Sequence, residues 1–415
     1  MRTSYIIYFA LALTSVAILL FLRDSQRAVL LRVLRNNDCE PKSHFPRKSD
    51  NTTSHSIEIS ENIAALLYTN EGHGHIPLPS LKDGRLSPLT KWVQRYIYEY
   101  QHPADCSQRP FLISDGYPSG FGSEMHVIGS HLAYAIQYNY TLLLSPRTCG
   151  FFIDDSSCSL GCACYFRPIT TCGDINEEDP KVDRISTSGA NNRGSIVPDI
   201  FKKALLDKIP SMRTDEIKYW WRGQSVAYLM RFNDDTVRAI ATLRHNSSLQ
   251  YLTGGRPVPF PFPSGTMAAH IRGGDKYYEM KLVPPIKYVD AASKLIVRMP
   301  HSFSRFLFVS ADDPAAITKT KRVAEKRALP YIYSRIPRIE RGHSLFAWDH
   351  LKSERAQRFY GHLLQLVMSL EADAWIGTRA SNWNRMIDEL RCIWVDKCPN
   401  IYVEVGGPVR DIYEW

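Results

Sequence analysis

A two-lobed α/β fold is predicted for this chain of 415 residues, the second lobe a parallel sheet with helices on both faces. Three observations predict it. Apolar runs of strand length alternate with segments of helix length from Met267 to beyond Asn382, the rhythm of βαβ units. A proline-rich stretch from Arg256 to Gly265, with Pro257, Pro259, Pro261 and Pro263, reads as a boundary between lobes. A composition 44% hydrophobic and 22% charged is that of an ordinary globular protein. At about 150 residues per domain the length allows two to three units.

Residues Tyr5 to Leu22 form an uncharged run of 18 residues. As a helix this run is roughly 27 Å long, close to the hydrocarbon thickness of a bilayer. It ends in Leu20-Phe21-Leu22-Arg23 without a small-x-small cleavage site, so a retained signal anchor is expected, with residues 1–4 as a short cytoplasmic tail. Arg23 to Lys91 is polar and lacks apolar periodicity, and reads as a stem. The first lobe is then assigned to residues 92–255 and the second to residues 256–415.

Within the first lobe, Arg109–Ser114 reads as a strand and is followed by a turn from Asp115 to Gly122. A helix is expected over His126–Gln137 and a strand over Thr141–Leu144; Ile200–Lys208 and Gln224–Arg244 read as helical. The second lobe is expected to run strand Met267–Ile271, helix Pro285–Val297, strand Phe306–Ser310, helix Pro314–Arg327 and strand Tyr331–Tyr333. Helix Glu354–Ala372, strand Ala374–Ile376 and a helix from Asn382 complete it. Right-handed crossovers between such strands make the sheet parallel, and a parallel sheet holds its ligand at the carboxyl edge.

Five of the nine cysteines crowd together at Cys149, Cys158, Cys162, Cys164 and Cys172, with Cys39 and Cys106 before them and Cys392 and Cys398 after. The spacing lacks paired CxxC units and a histidine set, so disulfides in an oxidising lumen are expected over a zinc site. Sequons at Asn51, Asn139 and Asn246 agree with that address. A type II Golgi membrane protein with a lumenal catalytic domain is the expected localisation. The positive-inside count does not itself favour this orientation. A net charge of +9 is scattered, with no basic run, zinc finger or RNA-binding signature. Basic residues are therefore expected to meet an anionic small molecule, not nucleic acid. A homodimer is compatible with the chain.

The segment Thr266–Pro285 concentrates chemistry. An apolar run delivers His270, Arg272, Asp275, Lys276 and Glu279 to a turn broken by Gly273 and Gly274. Arginine binds phosphate oxygens as a planar fork, lysine adds a point charge, and a carboxylate can act as general base. The alternative is a solvated surface turn. Ser310-Ala311-Asp312-Asp313-Pro314 suits either a helix cap or carboxylates accepting hydrogen bonds from a nucleoside. Thr378 to Arg385 suits either capping or a phosphate held at a helix start. The turn Ser119-Gly120-Phe121-Gly122-Ser123 has neither P-loop nor dinucleotide spacing.

Taken in order, these motifs resemble the α1,6-fucosyltransferase family, which adds fucose to the core of N-glycans. His270-Ile271-Arg272-Gly273-Gly274-Asp275-Lys276 is similar to the family's His-x-Arg-Arg-Thr-Asp-Lys motif, and Trp220 to Arg231 to its Trp-Trp block. Gly120 to His126 resembles its glycine-rich segment, Ser310–Pro314 its Ser-Asp-Asp-Pro turn, and Glu371-Ala372-Asp373 with Ser381 its last motif. The resemblance covers roughly residues 111–390. It implies a GT-B-like fold, GDP-β-L-fucose as donor, a glycan or glycoprotein acceptor, inversion, and neither metal nor other cofactor. It implies Arg272 on the β-phosphate, with His270 and Lys276 beside the diphosphate and Asp275 in the same donor-binding motif. Asp312 or Asp313 would hold guanosine, Ser381 and Asn382 the phosphates, and Glu279 would be the base. Gly273 and Gln365 depart from the pattern, where the family has an arginine and an acidic residue. Rival readings are an α1,2- or protein O-fucosyltransferase and a non-catalytic lumenal glycan-binding protein.

Overall fold

The computed structural model describes residues 88–406, apart from residue 118 and segments 154–157, 174–181, 186–195 and 339–353. The expected tail, anchor and most of the stem, with Cys39 and Asn51, lie outside the described residues. Among the described residues no helix is long and apolar enough to cross a membrane.

The first lobe is built on three parallel strands, β1 (Phe111–Ser114), β2 (Thr141–Leu144) and β3 (Val182–Ile185), in the order β2-β1-β3. Its helices are α1 (Pro88–Gln101), α2 (Phe121–Gln137), α3 (Asp199–Lys208), α4 (Thr214–Leu229) and α5 (Asp234–His245). The stem boundary expected at Trp92 falls inside α1, whose proline supplies a helix-compatible φ in the first turn. The helix expected over Gln224–Arg244 is two helices. Met230–Asn233 breaks it: Phe232 leaves to bridge Phe166, and Asn233 caps α5 by accepting from the Thr236 amide at 2.9 Å. Helix α2 starts at Phe121, five residues before the expected start, because Gly120 serves as its N-cap.

The clustered cysteines are joined as Cys149–Cys162 and Cys158–Cys164, with Cys106–Cys172 tying the loop to the start of the lobe and Cys392–Cys398 closing a turn in the second. Among the described residues no His, Cys, Asp and Glu group has metal-binding geometry.

In the second lobe the helices are α6 (Pro285–Arg298), α7 (Pro314–Lys326), α8 (Arg355–Glu371) and α9 (Asn382–Ile393). The strands are β4 (Gln250–Leu252), β5 (Met267–Ile271), β6 (Leu307–Ala311), β7 (Tyr331–Ser334), β8 (Ala374–Gly377) and β9 (Ile401–Glu404). They lie in the order β4-β7-β6-β5-β8-β9, parallel except for β4. Strand β4 belongs to this sheet, so the lobe begins before the boundary expected at residue 256.

Side-chain alternation decides which residues meet which helices. Met267, Ala269 and Ile271 of β5 pack with Tyr288, Val289 and Ile317 from α6 and α7. Ala268 and the neighbouring Phe308 and Trp375 face Leu363, Leu364 and Val367 of α8. That second core continues into the first lobe, where Phe359 of α8 meets Phe121, Phe152 and Tyr165 at ring centroid distances of 4.8, 5.0 and 4.6 Å. Helices α2 and α4 pack on α9. The two lobes therefore share one apolar core, and their contact is set by α8 and α9.

Candidate functional site

From β5 the chain moves outward to β6 and β7, then returns to the other side for β8 and β9. The strand order reverses between β5 and β8, which places a crevice at their carboxyl ends. Two turns line it, one beginning at Arg272 and one spanning Thr378–Ser381.

His270 is the penultimate residue of β5 and shares the face of Ala268. Across the strand pair its Nδ1 lies 2.9 Å from Ser310 Oγ. It is buried, and burial first, then the nearby Arg272, His362 and Arg338, lower its pKa to about 3. The imidazole is therefore neutral and packed beside Trp383, and it brings polarity but no charge to the crevice. His362 on α8 is held neutral in the same way, its pKa lowered to about 4 by burial and by Arg338, Arg358 and Arg272.

Arg272 follows directly, and its guanidinium is paired with Asp312 at the end of β6. Asp312 Oδ1 also accepts from the Gly273 amide at 3.0 Å. Gly273 has a packing reason: a Cβ there would lie 3.2 Å from Asp313 Cβ. An arginine at this position would press on that turn. Asp313 caps α7 by accepting from the Ala315 amide at 2.8 Å. The capping reading of Ser310–Pro314 thus holds for Asp313, while Asp312 pairs with Arg272. Lys276 is buried in the 3-10 turn Gly274–Tyr278 and paired with Glu279, whose own side chain is 65% exposed. The side chain of Asp275 lies outside the described residues.

On the other wall, Ser381 is the N-cap of α9, yet no side chain caps this helix. Its Oγ is buried and has no hydrogen-bond partner among the described residues. An uncapped helix start with an orphaned hydroxyl is suited to an anion, because first-turn amides and the helix dipole both favour negative charge. Helix α2 of the first lobe also starts without a side-chain cap, at Gly120. The two starts touch: a Cβ on Gly122 would lie 2.9 Å from the Asn382 carbonyl carbon, and Asn382 Nδ2 donates to Ser123 Oγ at 2.6 Å. The glycine-rich turn is thus where one helix start approaches another.

Several groups here were not anticipated from the sequence. Arg338, just beyond β7, donates to the carbonyls of Ala311, Ile336 and Ser334 and to Gln365 Oε1, and burial lowers its pKa to about 10. Its place after a strand end was the available signal. Gln365 also accepts from the Ala311 amide at 3.3 Å. Arg385 of α9 donates to Asn382 Oδ1 at 3.0 Å, and burial, then Arg222, lower its pKa to about 10. The Trp-Trp block lies largely in α4: Trp221 is buried and stacked on Phe201 of α3 inside the first lobe, and α4 also packs on α9.

No protein-family description matches the chain, and no curated protein matches it in sequence. Among solved structures, a NodZ α1,6-fucosyltransferase soaked with GDP-fucose is similar with a TM-score of 0.37 and 13% identity, over 68% of this chain and 93% of that one. POFUT1 in complex with GDP is similar with a TM-score of 0.37 and 11% identity, over 74% of this chain and 100% of that one. POFUT1 in complex with GDP-fucose gives 0.36 and 9%, over 72% and 98%.

Proposed function

We propose that this chain is a glycosyltransferase that binds GDP-fucose in the crevice between β5 and β8 and transfers fucose to a glycan hydroxyl. The observation that carries the reading is the uncapped start of α9, with a Ser381 hydroxyl that has no partner among the described residues, beside the arginine turn of the neighbouring strand. The ordered sequence motifs supply the sugar nucleotide's identity.

In this reading the diphosphate sits on the first-turn amides of α9 and Ser381 Oγ, and Arg272 swings from Asp312 toward the β-phosphate. The acceptor oxygen attacks the anomeric carbon from the face opposite the phosphate, so the new C–O bond forms as the C–O(phosphate) bond breaks and the configuration inverts. The acceptor proton goes to Glu279, and the electron pair of the broken bond goes to GDP. Negative charge grows on the leaving phosphate, and a guanidinium fixed there gains strength as it grows. The positive charge comes from Arg272 and Lys276, and no metal or other cofactor belongs to the reading. The finer proposal is an α1,6 linkage to the core GlcNAc of N-glycans, in the Golgi lumen behind an amino-terminal anchor; it rests on the sequence resemblance.

Thermal melting with nucleotides is the first test, because a ligand held only by the native state must stabilise it. GDP is expected to raise the melting temperature and UDP not to. Labelled GDP-fucose with N-glycan acceptors, followed by linkage analysis of the product, tests transfer and its position. Equal stabilisation by both nucleotides, or none by GDP, would remove the donor assignment.

A further inference from the structure

Deep between the lobes, a buried histidine and a buried glutamate meet across the contact between α2 and α9. His126 Nε2 is 2.9 Å from Glu389 Oε2, and both side chains are fully shielded from solvent. The other ring nitrogen, Nδ1, faces Asn382 Oδ1 at 3.3 Å. Glu389 thereby fixes the ring plane, and the ring addresses the first residue of α9. Asn382 is held by Arg385 at 3.0 Å and by Ser123 at 2.6 Å, with the His126 ring packed against its amide oxygen. The charged groups facing His126 are Glu389 and Arg385 of α9 and Arg222 of α4, whose Nε lies 3.9 Å from Glu389 Oε1. One residue past Trp383, Asn384 Nδ2 reaches the His270 carbonyl at 3.4 Å, so the same turn is tied to β5.

A buried carboxylate and imidazole are costly to desolvate and are retained where they fix a geometry. Apolar packing alone would join α2 to α9, but it would not fix the rotation of the Asn382 amide or the distance between the two uncapped starts. We propose that His126 and Glu389 are positioning residues: acting through Asn382, they hold the start of α9 against the glycine turn of α2 and so shape the cradle for the donor diphosphate. The inference rests on the proposed donor site.

The test is a double-mutant cycle read by GDP affinity and by KM and kcat for GDP-fucose. His126→Phe keeps a ring and removes both contacts; it is made in wild type and in Glu389→Gln, which keeps the side chain's shape while removing its charge from His126 and Arg222. GDP Kd and donor KM are expected to rise together about tenfold, the loss of one positioned contact near 1.4 kcal/mol, with acceptor KM unmoved. Combined with Asn382→Ala, His126→Phe is expected to add nothing further. Independent, additive losses would overturn the positioning role, as would unchanged GDP affinity in folded His126→Phe or equal losses in donor and acceptor KM. Wild-type protein that does not bind GDP would instead overturn the donor site, and this inference with it.

Discussion

Two arginines stand at the carboxyl ends of neighbouring strands, each paired with an aspartate, and they are built for different tasks. Arg272 after β5 meets Asp312 at a shallow site, with side-chain exposures of 19% and 28%. Arg379 after β8 meets Asp388, which is 2% exposed and also accepts from Arg391 at 2.7 Å and Tyr219 at 2.6 Å. Arg379 is further pinned over the Tyr402 ring at 4.2 Å, and its backbone amide donates to Glu404 at 2.8 Å. Burial would push the Asp388 carboxyl up, but Arg379 and Arg391 outweigh it and hold it well below the usual range. The same residue types thus form a deeply buried knot in one turn and a shallower pair in the other.

The largest expected effect is on the knot. Asp388→Ala strands Arg379 and Arg391 beside a buried cavity and is expected to cost about 3–5 kcal/mol of stability, the range for breaking a buried pair, measured by denaturant unfolding. Because the folded carboxyl is depressed, its contribution is present above the unfolded value near about pH 3.9 and is lost as pH falls below it. Wild type should therefore shed stability in acid more steeply than Asp388→Ala. An equal acid slope would mean that the pair does not anchor the turn.

Next comes Arg272→Ala, expected to lower turnover by at least about 10²-fold, as for loss of one preorganised donor in a transition state. Its melting temperature should stay near that of wild type, because a shallow pair contributes little to stability. The comparison breaks if Arg272→Ala unfolds the protein, or if Arg379→Ala in folded protein loses as much turnover.

The difference between these turns marks where the sequence stops being informative. Strand β5 is bounded by Thr266 and Arg272 as expected, because five consecutive buried residues in a parallel strand leave an unbroken apolar run. Helices α6 to α9 likewise follow their apolar spacing to within a residue or two. Strands β3, β4 and β9 were not anticipated: only Ile185 of β3, Gln250 and Leu252 of β4 and Tyr402 of β9 are buried, too little for an apolar pattern. The roles of Asp312 and Asp313 separate only in three dimensions, since one lies across from Arg272 and the other opens α7. The cluster of His126, Glu389 and Arg222 was hidden for the same reason, although His126 and Arg222 each lie inside a quoted motif. They come from α2, α9 and α4, and their sequence separation hides a contact of 2.9 Å between His126 and Glu389. Ser381 was legible as a helix cap, but that its hydroxyl bonds to nothing among the described residues required coordinates.

The smallest effect sharpens the comparison most. Among the described residues Asp312 pairs with the Arg272 guanidinium and also accepts from the neighbouring Gly273 amide. If Arg272 must leave this carboxylate to reach the phosphate, Asp312→Asn removes both a competitor for the guanidinium and a restraint on its direction. The competitor lowers ground-state affinity, so GDP is expected to bind Asp312→Asn more tightly. The restraint aims the transition state, so kcat is expected to fall about tenfold, consistent with about 1.5 kcal/mol for a hydrogen bond to a charged group. Tighter GDP binding with slower turnover is a combination that a purely structural pair, such as Arg379 with Asp388, has no means to produce. Weaker GDP binding in Asp312→Asn would show instead that this carboxylate itself holds the nucleotide.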